Sequence, residues 1–234
     1  MTNYNQRDSS IKAARTIKQC VDERTPHTLI LTGSYSIDAL TGGNVTHNDI
    51  DTNVFFYAAN SGAVDDTAGL LGGSLPINKI LKQTTDRLEY EIITDSGLEI
   101  AEFQFVPYDA YIAKEGLEKF ILSGKNEIGH NIEVPVTEAS LIDSQGEPEA
   151  FRVKTLDYAI ATWAIRISGI IDVQKRPVRQ TDIDHFTLLY SQPHSTNLLY
   201  ETMLNHPQMT SADPERVLEE ALRRTNSEGL SYEC

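Results

Sequence analysis

Cysteine is nearly absent from this chain, and the two that occur, Cys20 and Cys234, lie far apart in sequence. They have neither the spacing of a metal site nor the number for a disulfide framework, and read as free thiols of a reducing compartment. There is one tryptophan and no uncharged apolar run near the ~20 residues that a membrane span requires, so no membrane partner is expected. The first residues, Met1-Thr2-Asn3-Tyr4-Asn5-Gln6-Arg7-Asp8, lack the apolar core of an export signal, and the expected location is cytoplasmic. Basic residues are scarce: 20 Lys and Arg against 34 Asp and Glu give a formal charge of −14. Broad, unspecific binding to nucleic acid needs excess cations at the phosphates, so that class is excluded, although a local basic pocket is not. The Gly-rich stretch from Asn60 to Pro76 lacks the Lys-Ser or Lys-Thr of a phosphate loop and reads as a connection. No internal repeat or low-complexity tract occurs. What remains, 40% hydrophobic and 23% charged in 26.1 kDa, is ample for a soluble core.

The strongest signal is an apolar run, Leu29-Ile30-Leu31-Thr32, that ends in Gly33-Ser34 and is followed by His47-Asn48-Asp49-Ile50-Asp51-Thr52-Asn53-Val54-Phe55-Phe56. A strand turning directly into a helix start leaves backbone N–H groups free, and the helix dipole there favours an anion. A strand has a side-chain period of two, so Asp49 and Asp51 share one face while Ile50, Thr52, Val54 and Phe56 share the other. Two adjacent carboxylates repel unless a cation lies between them, and a hard, oxygen-seeking ion such as Mg²⁺ suits that donor set. Gly-Ser alone is a common turn and Asp-x-Asp alone a common strand edge. Their order and spacing behind two strand signals carry the reading of a phosphate cradle beside a metal site.

The surrounding pattern predicts helices over Ile11–Asp22 and Tyr35–Leu40, the latter closed by Gly42-Gly43. Strands are predicted at Leu29–Thr32, Asp49–Ala58, Leu88–Thr94 and Leu98–Val106, with Asp95-Ser96-Gly97 as a hairpin turn. The spacing of Ile77 to Gln83 predicts helix. Within the last strand Ala101, Phe103 and Phe105 share a face, which leaves Glu102 on the opposite one as the candidate third acid. Glu99 and Glu91 are its competitors. A polar segment, Asp143 to Glu149, marks a boundary between residues 1–145 and a helical region 146–234. There Leu156, Ala159, Ile160, Trp163, Ile167 and Ile170 follow helical spacing, with Trp163 read as core. Further helices are predicted around Ile183–Tyr190, Thr196–Leu204, and from Asp213-Pro214-Glu215 onward. The expected class is therefore α+β: a small mixed sheet with flanking helices, then a helical C-terminal half.

These residues resemble the minimal nucleotidyltransferase fold of the DNA polymerase beta-like superfamily. Its signature of Gly-Ser, a helical turn, Asp-x-Asp and a later third acid is matched by Gly33-Ser34, Asp49, Asp51 and Glu102, over roughly residues 28 to 107. A looser likeness, in Phe151–Leu156 and Gln174–Phe186, is to AbiEii-type toxins and lincosamide-type antibiotic nucleotidyltransferases. That branch implies Arg179 as a basic approach and Asp182 and His185 in a second acidic motif. Two departures stand out. No Lys occurs at Thr162-Trp163-Ala164, and Thr46-His47-Asn48 stands where an Arg is common; Lys154, Arg166 or Arg179 would take their place.

The resemblance implies transfer of a nucleoside monophosphate from an NTP such as ATP to an acceptor hydroxyl or phosphate, with release of pyrophosphate. Gly33 and Ser34 would hold phosphates, and Asp49, Asp51 and Glu102 would be both catalytic groups and Mg²⁺ ligands. Lys154, Arg179 and Asp182 would complete the nucleotide site. His47 and His185 are read as structural residues. The acceptor, whether small molecule, tRNA or protein, is not set by the sequence. The alternative is a non-catalytic member of the fold, working as a binding partner in a toxin–antitoxin type of pair with an antitoxin-like protein.

Overall fold

The apolar spacing near the N-terminus becomes helix α1 (Thr2–Arg24), which buries Ile11, Ala14, Ile17 and Val21 along one stripe. The computed structural model describes residues 2–42, 45, 47, 49–60, 62–114, 116–169 and 178–229, and the side chains among them from 7 to 226. Burying each of the large aliphatic side chains on that stripe contributes about 1.5–3 kcal/mol. The helix stops ahead of Pro26, where Thr25 bonds back to the Val21 carbonyl through both its N–H and its hydroxyl. Asp22 then accepts the N–H of Leu29 at 2.9 Å, tying the helix end to the start of strand β1 (Thr28–Leu31).

Helix α2 (Gly33–Thr41) follows at once and ends at Gly42, whose φ of 63° is the left-handed cap that glycine supplies without strain. Strand β2 (Asp49–Tyr57) pairs antiparallel to β1. Helix α3 (Ala63–Ser74) lies within the Gly-rich connection. Strand β3 (Ile77–Gln83) replaces the helix predicted there. Ile77, Ile80 and Leu81 have helical spacing, but pairing with β4 (Arg87–Thr94) overrides it. Two register shifts, between Ile77 and Lys79 and between Ile80 and Lys82, absorb the non-alternating pattern on what is an edge strand.

Strand β5 (Gly97–Lys114) leaves β4 by the predicted hairpin, with Thr94 opposite Gly97. The strands β6 (Leu117–Lys125), β7 (Asn131–Ile142) and β8 (Pro148–Lys154) were not predicted. By packing, the chain falls into two units, 1–110 with 136–154 and 111–135 with 155–234. In the first unit the strand order is β7-β8-β1-β2-β5-β4-β3, with β1–β8 and β2–β5 parallel and β1–β2, β4–β5 and β7–β8 antiparallel. One face of this sheet carries Leu31, Ile50, Val54, Leu88, Tyr90, Ala101, Phe103, Phe105, Phe151 and Val153, in one core with the α1 stripe.

The second unit holds β6 and four helices, α4 (Leu156–Ser168), α5 (Gln180–Tyr190), α6 (Thr196–Leu204) and α7 (Pro214–Gly229). Helix α4 is central, packing against the other three through buried Ile160, Ala161, Ala164, Ile165 and Ile167. Trp163 is only partly buried, with the Arg166 guanidinium 4.9 Å above its ring. The architecture is α+β. Among the described residues no helix is long and apolar enough to cross a membrane.

Candidate active site

The turn from β1 into α2 is built against β2. Thr32 is extended, and its N–H donates to the Asp51 carbonyl at 2.8 Å. Gly33 has a φ of +62°, and a Cβ placed on it would lie 2.2 Å from Asp51 Oδ2. Any other residue would be strained there, by the left-handed backbone and by a Cβ that forces the Asp51 carboxylate to shift. The Asp51 carboxylate therefore packs against the first residue of a helix, with Ser34 second in that helix.

Strand β5 brings the third acid alongside. In the parallel β2–β5 ladder Asp51 is in register with Glu102 and Asp49 with Ile100, and the Thr52 hydroxyl donates to the Glu102 carbonyl at 2.9 Å. Asp49, Asp51 and Glu102 share the face opposite the phenylalanines, as the period of two requires. Burial pushes the Asp51 pKa up to about 7, reinforced by the charges of Asp49 and Glu102 and opposed by Arg87. Glu102 is also raised, by burial first, with Arg87 and Lys82 pulling it down and Glu89 and Asp49 pushing it up.

Of the competing acids, Glu99 is buried in the hairpin, where it accepts from Thr94 Oγ1 at 3.2 Å and Ser96 Oγ at 3.1 Å. Glu91 is opposite Ile100 and accepts from Asn78. Lys154 ends β8 next to Val153, which is in register with Leu31, itself opposite Thr52. Alternation thus places Lys154 on the same sheet face as the three acids, and burial lowers its pKa to about 8. Arg179 and Asp182 belong to the second unit. There Asp182 is fully buried at the third position of α5, accepting from the Arg179 N–H at 3.0 Å and pairing with Arg179 and Arg166 at 2.9 and 3.1 Å. It caps the helix and is shared between two guanidiniums. His185 is edge-on to Trp163, with ring centroids 5.3 Å apart. Lys175 and Arg176 of the basic run lie outside the described residues.

Two features had not been read from the sequence. His47 joins Ser34 to Asp38: its Nδ1 is 3.1 Å from Ser34 Oγ, its Nε2 is 3.1 Å from Asp38 Oδ2, and its ring stacks on Tyr35 at 3.7 Å. Asp38 is buried and held by Arg7 at 2.9 Å. The i, i+4 spacing of Ser34 and Asp38, one helix face, was the available signal. Arg87 is the second: its Nη2 donates to Glu102 at 2.5 Å and to Glu89 at 3.3 Å. Its alternation with Glu89 and Glu91 marked the face, but not the partner.

The donor set of Asp49, Asp51 and Glu102 is all hard oxygen, which fits a divalent ion such as Mg²⁺. Among the described residues, however, no three His, Cys, Asp or Glu side chains are gathered into a metal-holding group. Glu102 is engaged with Arg87 instead.

No protein-family model matches the chain, and no curated protein does. Similar solved structures include the Cid1 poly(U) polymerase with MgGTP bound, at 14% identity and a TM-score of 0.34 over 42% of this chain. The chain spans 31% of that polymerase's length. The CD-NTase CdnG of Bradyrhizobium diazoefficiens, in complex with GTP, is similar at 12% identity and a TM-score of 0.35, covering 97% of this chain and 86% of that one. The STING-associated CdnE c-di-GMP synthase of Capnocytophaga granulosa is similar at 11% identity and a TM-score of 0.40, covering 99% and 82%.

Proposed function

We propose that this chain is a Mg²⁺-dependent nucleotidyltransferase, moving a nucleoside monophosphate from an NTP to an acceptor hydroxyl or phosphate and releasing pyrophosphate. The observation that carries the reading is Gly33, a helix-initiating glycine with no room for a side chain, pressed against Asp51 where Asp49 and Glu102 share the sheet face. Backbone N–H groups at the start of α2 and the Ser34 hydroxyl bind phosphate oxygens. Lys154 approaches from the same sheet face as a further cation. Asp49 and Asp51 would hold the metal ion, with Glu102 as a further ligand or as the base that takes the acceptor proton. Bound there, the ion neutralises charge on the phosphates and on the leaving pyrophosphate. The raised pKa values of Asp51 and Glu102 support this: a site that disfavours its own carboxylate charges gains most from a cation.

The non-catalytic reading is favoured by one observation, the ion pair that satisfies Glu102 with Arg87. Calorimetric titration of the four NTPs with Mg²⁺, on the native protein and on Asp49→Asn/Asp51→Asn, separates the two. The catalytic reading expects Mg²⁺-dependent binding that the double variant loses. A native protein that binds none of the NTPs at millimolar concentration would overturn it in favour of a partner-binding member of the fold.

A further inference from the structure

The departures noted in the sequence leave the site short of cations near the phosphates. The sheet face itself supplies one. Arg87 on β4 is opposite Gln104, two pairs along from Glu89 opposite Glu102, so its guanidinium on that face reaches Glu89 on its own strand and Glu102 on the neighbouring one. It also acts on Asp51 electrostatically, opposing the rise in that carboxyl's pKa. Lys82 on β3 is opposite Glu89 and acts on Glu102 in the same sense. The Arg87 side chain is 35% exposed while its Nε is buried with no hydrogen-bond partner among the described residues. A guanidinium has five N–H donors, and this one places only Nη2 on the carboxylates. It is a counter-ion with donor capacity to spare, at a carboxylate that a divalent ion would compete for.

We propose that Arg87 is an exchangeable cation of the nucleotide site: it neutralises Glu102 in the ligand-free protein, is displaced when a divalent ion takes that carboxylate, and then contacts the phosphates of the bound nucleotide. The inference rests on the nucleotidyltransferase reading above. Competition is the physical basis, since one carboxylate cannot give its full charge to both a guanidinium and a metal ion. Arginine suits both roles, because its planar fork matches carboxylate and phosphate alike.

The test is calorimetric titration with Mn²⁺ alone, without nucleotide, on the full chain and on Arg87→Gln and Arg87→Lys. Removal of a partly exposed competing charge should tighten Mn²⁺ binding roughly three- to tenfold in Arg87→Gln. Arg87→Lys, which keeps the charge, should stay near the native affinity. With Mn²⁺ saturating, Arg87→Gln should bind the NTP several-fold more weakly than the native protein. Equal or weaker Mn²⁺ binding by Arg87→Gln would overturn the exchange while leaving the metal site standing, and so would unchanged NTP affinity. Absence of Mn²⁺ binding to native and variant proteins alike would overturn the metal reading and the exchange with it.

Discussion

Asp51→Asn should make this protein more stable above neutral pH, although it removes a residue central to the proposed chemistry. The Asp51 carboxyl has its pKa pushed from an ordinary 3.8 to about 7, by burial first and then by Asp49 and Glu102. A folded-state pKa above the unfolded one means that the native protein keeps a proton that the unfolded chain has already released. Stability therefore falls as pH rises from about 4 to about 7 and levels off above that. Three pKa units correspond to about 4 kcal/mol at 1.36 kcal/mol each, an upper bound because solvent reaches part of the side chain. Asparagine keeps the shape and removes the charge. The variant minus native difference should be near zero at pH 4 and grow to roughly 2–4 kcal/mol at pH 8 in EDTA. At about 2–4 °C per kcal/mol for a chain of this size, that is a rise of roughly 5–15 °C in Tm. Scanning calorimetry at pH 4, 6 and 8 reads it. A variant equal to or less stable than the native protein at pH 8 would refute the reasoning, because the carboxylate would then be favourably held as an anion.

Other substitutions probe the remaining parts. Gly33→Ala forces a Cβ onto the Asp51 carboxylate and a left-handed φ onto alanine, costing about 1–2 kcal/mol of backbone strain alone; Tm should fall and NTP affinity be lost together. Asp182→Ala strands the largely buried Arg166, and with it removes the partner of the exposed Arg179, and should cost about 3–5 kcal/mol in thermal unfolding, whereas Asp182→Asn, which keeps the capping acceptor, should cost less. His27 is buried with neither ring nitrogen hydrogen-bonded among the described residues, and burial lowers its pKa below 6.5. The unfolded chain thus takes up a proton that the fold resists, so this residue destabilises the fold as pH drops below about 6.5. His27→Phe should gain stability relative to the native protein between pH 7 and 5, and a flat difference across that range would contradict the assignment.

The candidate site was legible where its geometry is local. The parity of Asp49 and Asp51, and of Glu102 against Phe103 and Phe105, follows from the strand period alone, and Gly33-Ser34 and Gly42 mark the two ends of α2. What escaped depends on pairing. Nothing within β4 says that Glu89 will stand opposite Glu102, so the reach of Arg87 to both is visible only once the β4–β5 register is known. Strand β3 was misread because Ile77, Ile80 and Leu81 satisfy helical spacing, and only its two register shifts reconcile them with a ladder. In β7 and β8 the alternation of Val134 with Val136 and of Phe151 with Val153 was available, diluted by Pro135 and by the scattered Glu133, Glu138 and Glu149. The burial of Asp182 was not legible: arginine is not a usual capping residue, and the pairing of Asp182 with Arg166 depends on how α4 and α5 pack.

The most direct test of the central claim is a crystal soaked with Mn²⁺ and a non-hydrolysable NTP analogue, with anomalous scattering used to locate the metal. The expected result is a manganese peak coordinated by Asp49 and Asp51, with the triphosphate on the N–H groups of Gly33 and Ser34. A nucleotide bound elsewhere on the protein, or a triphosphate at Gly33 with no manganese at the two aspartates, would contradict it.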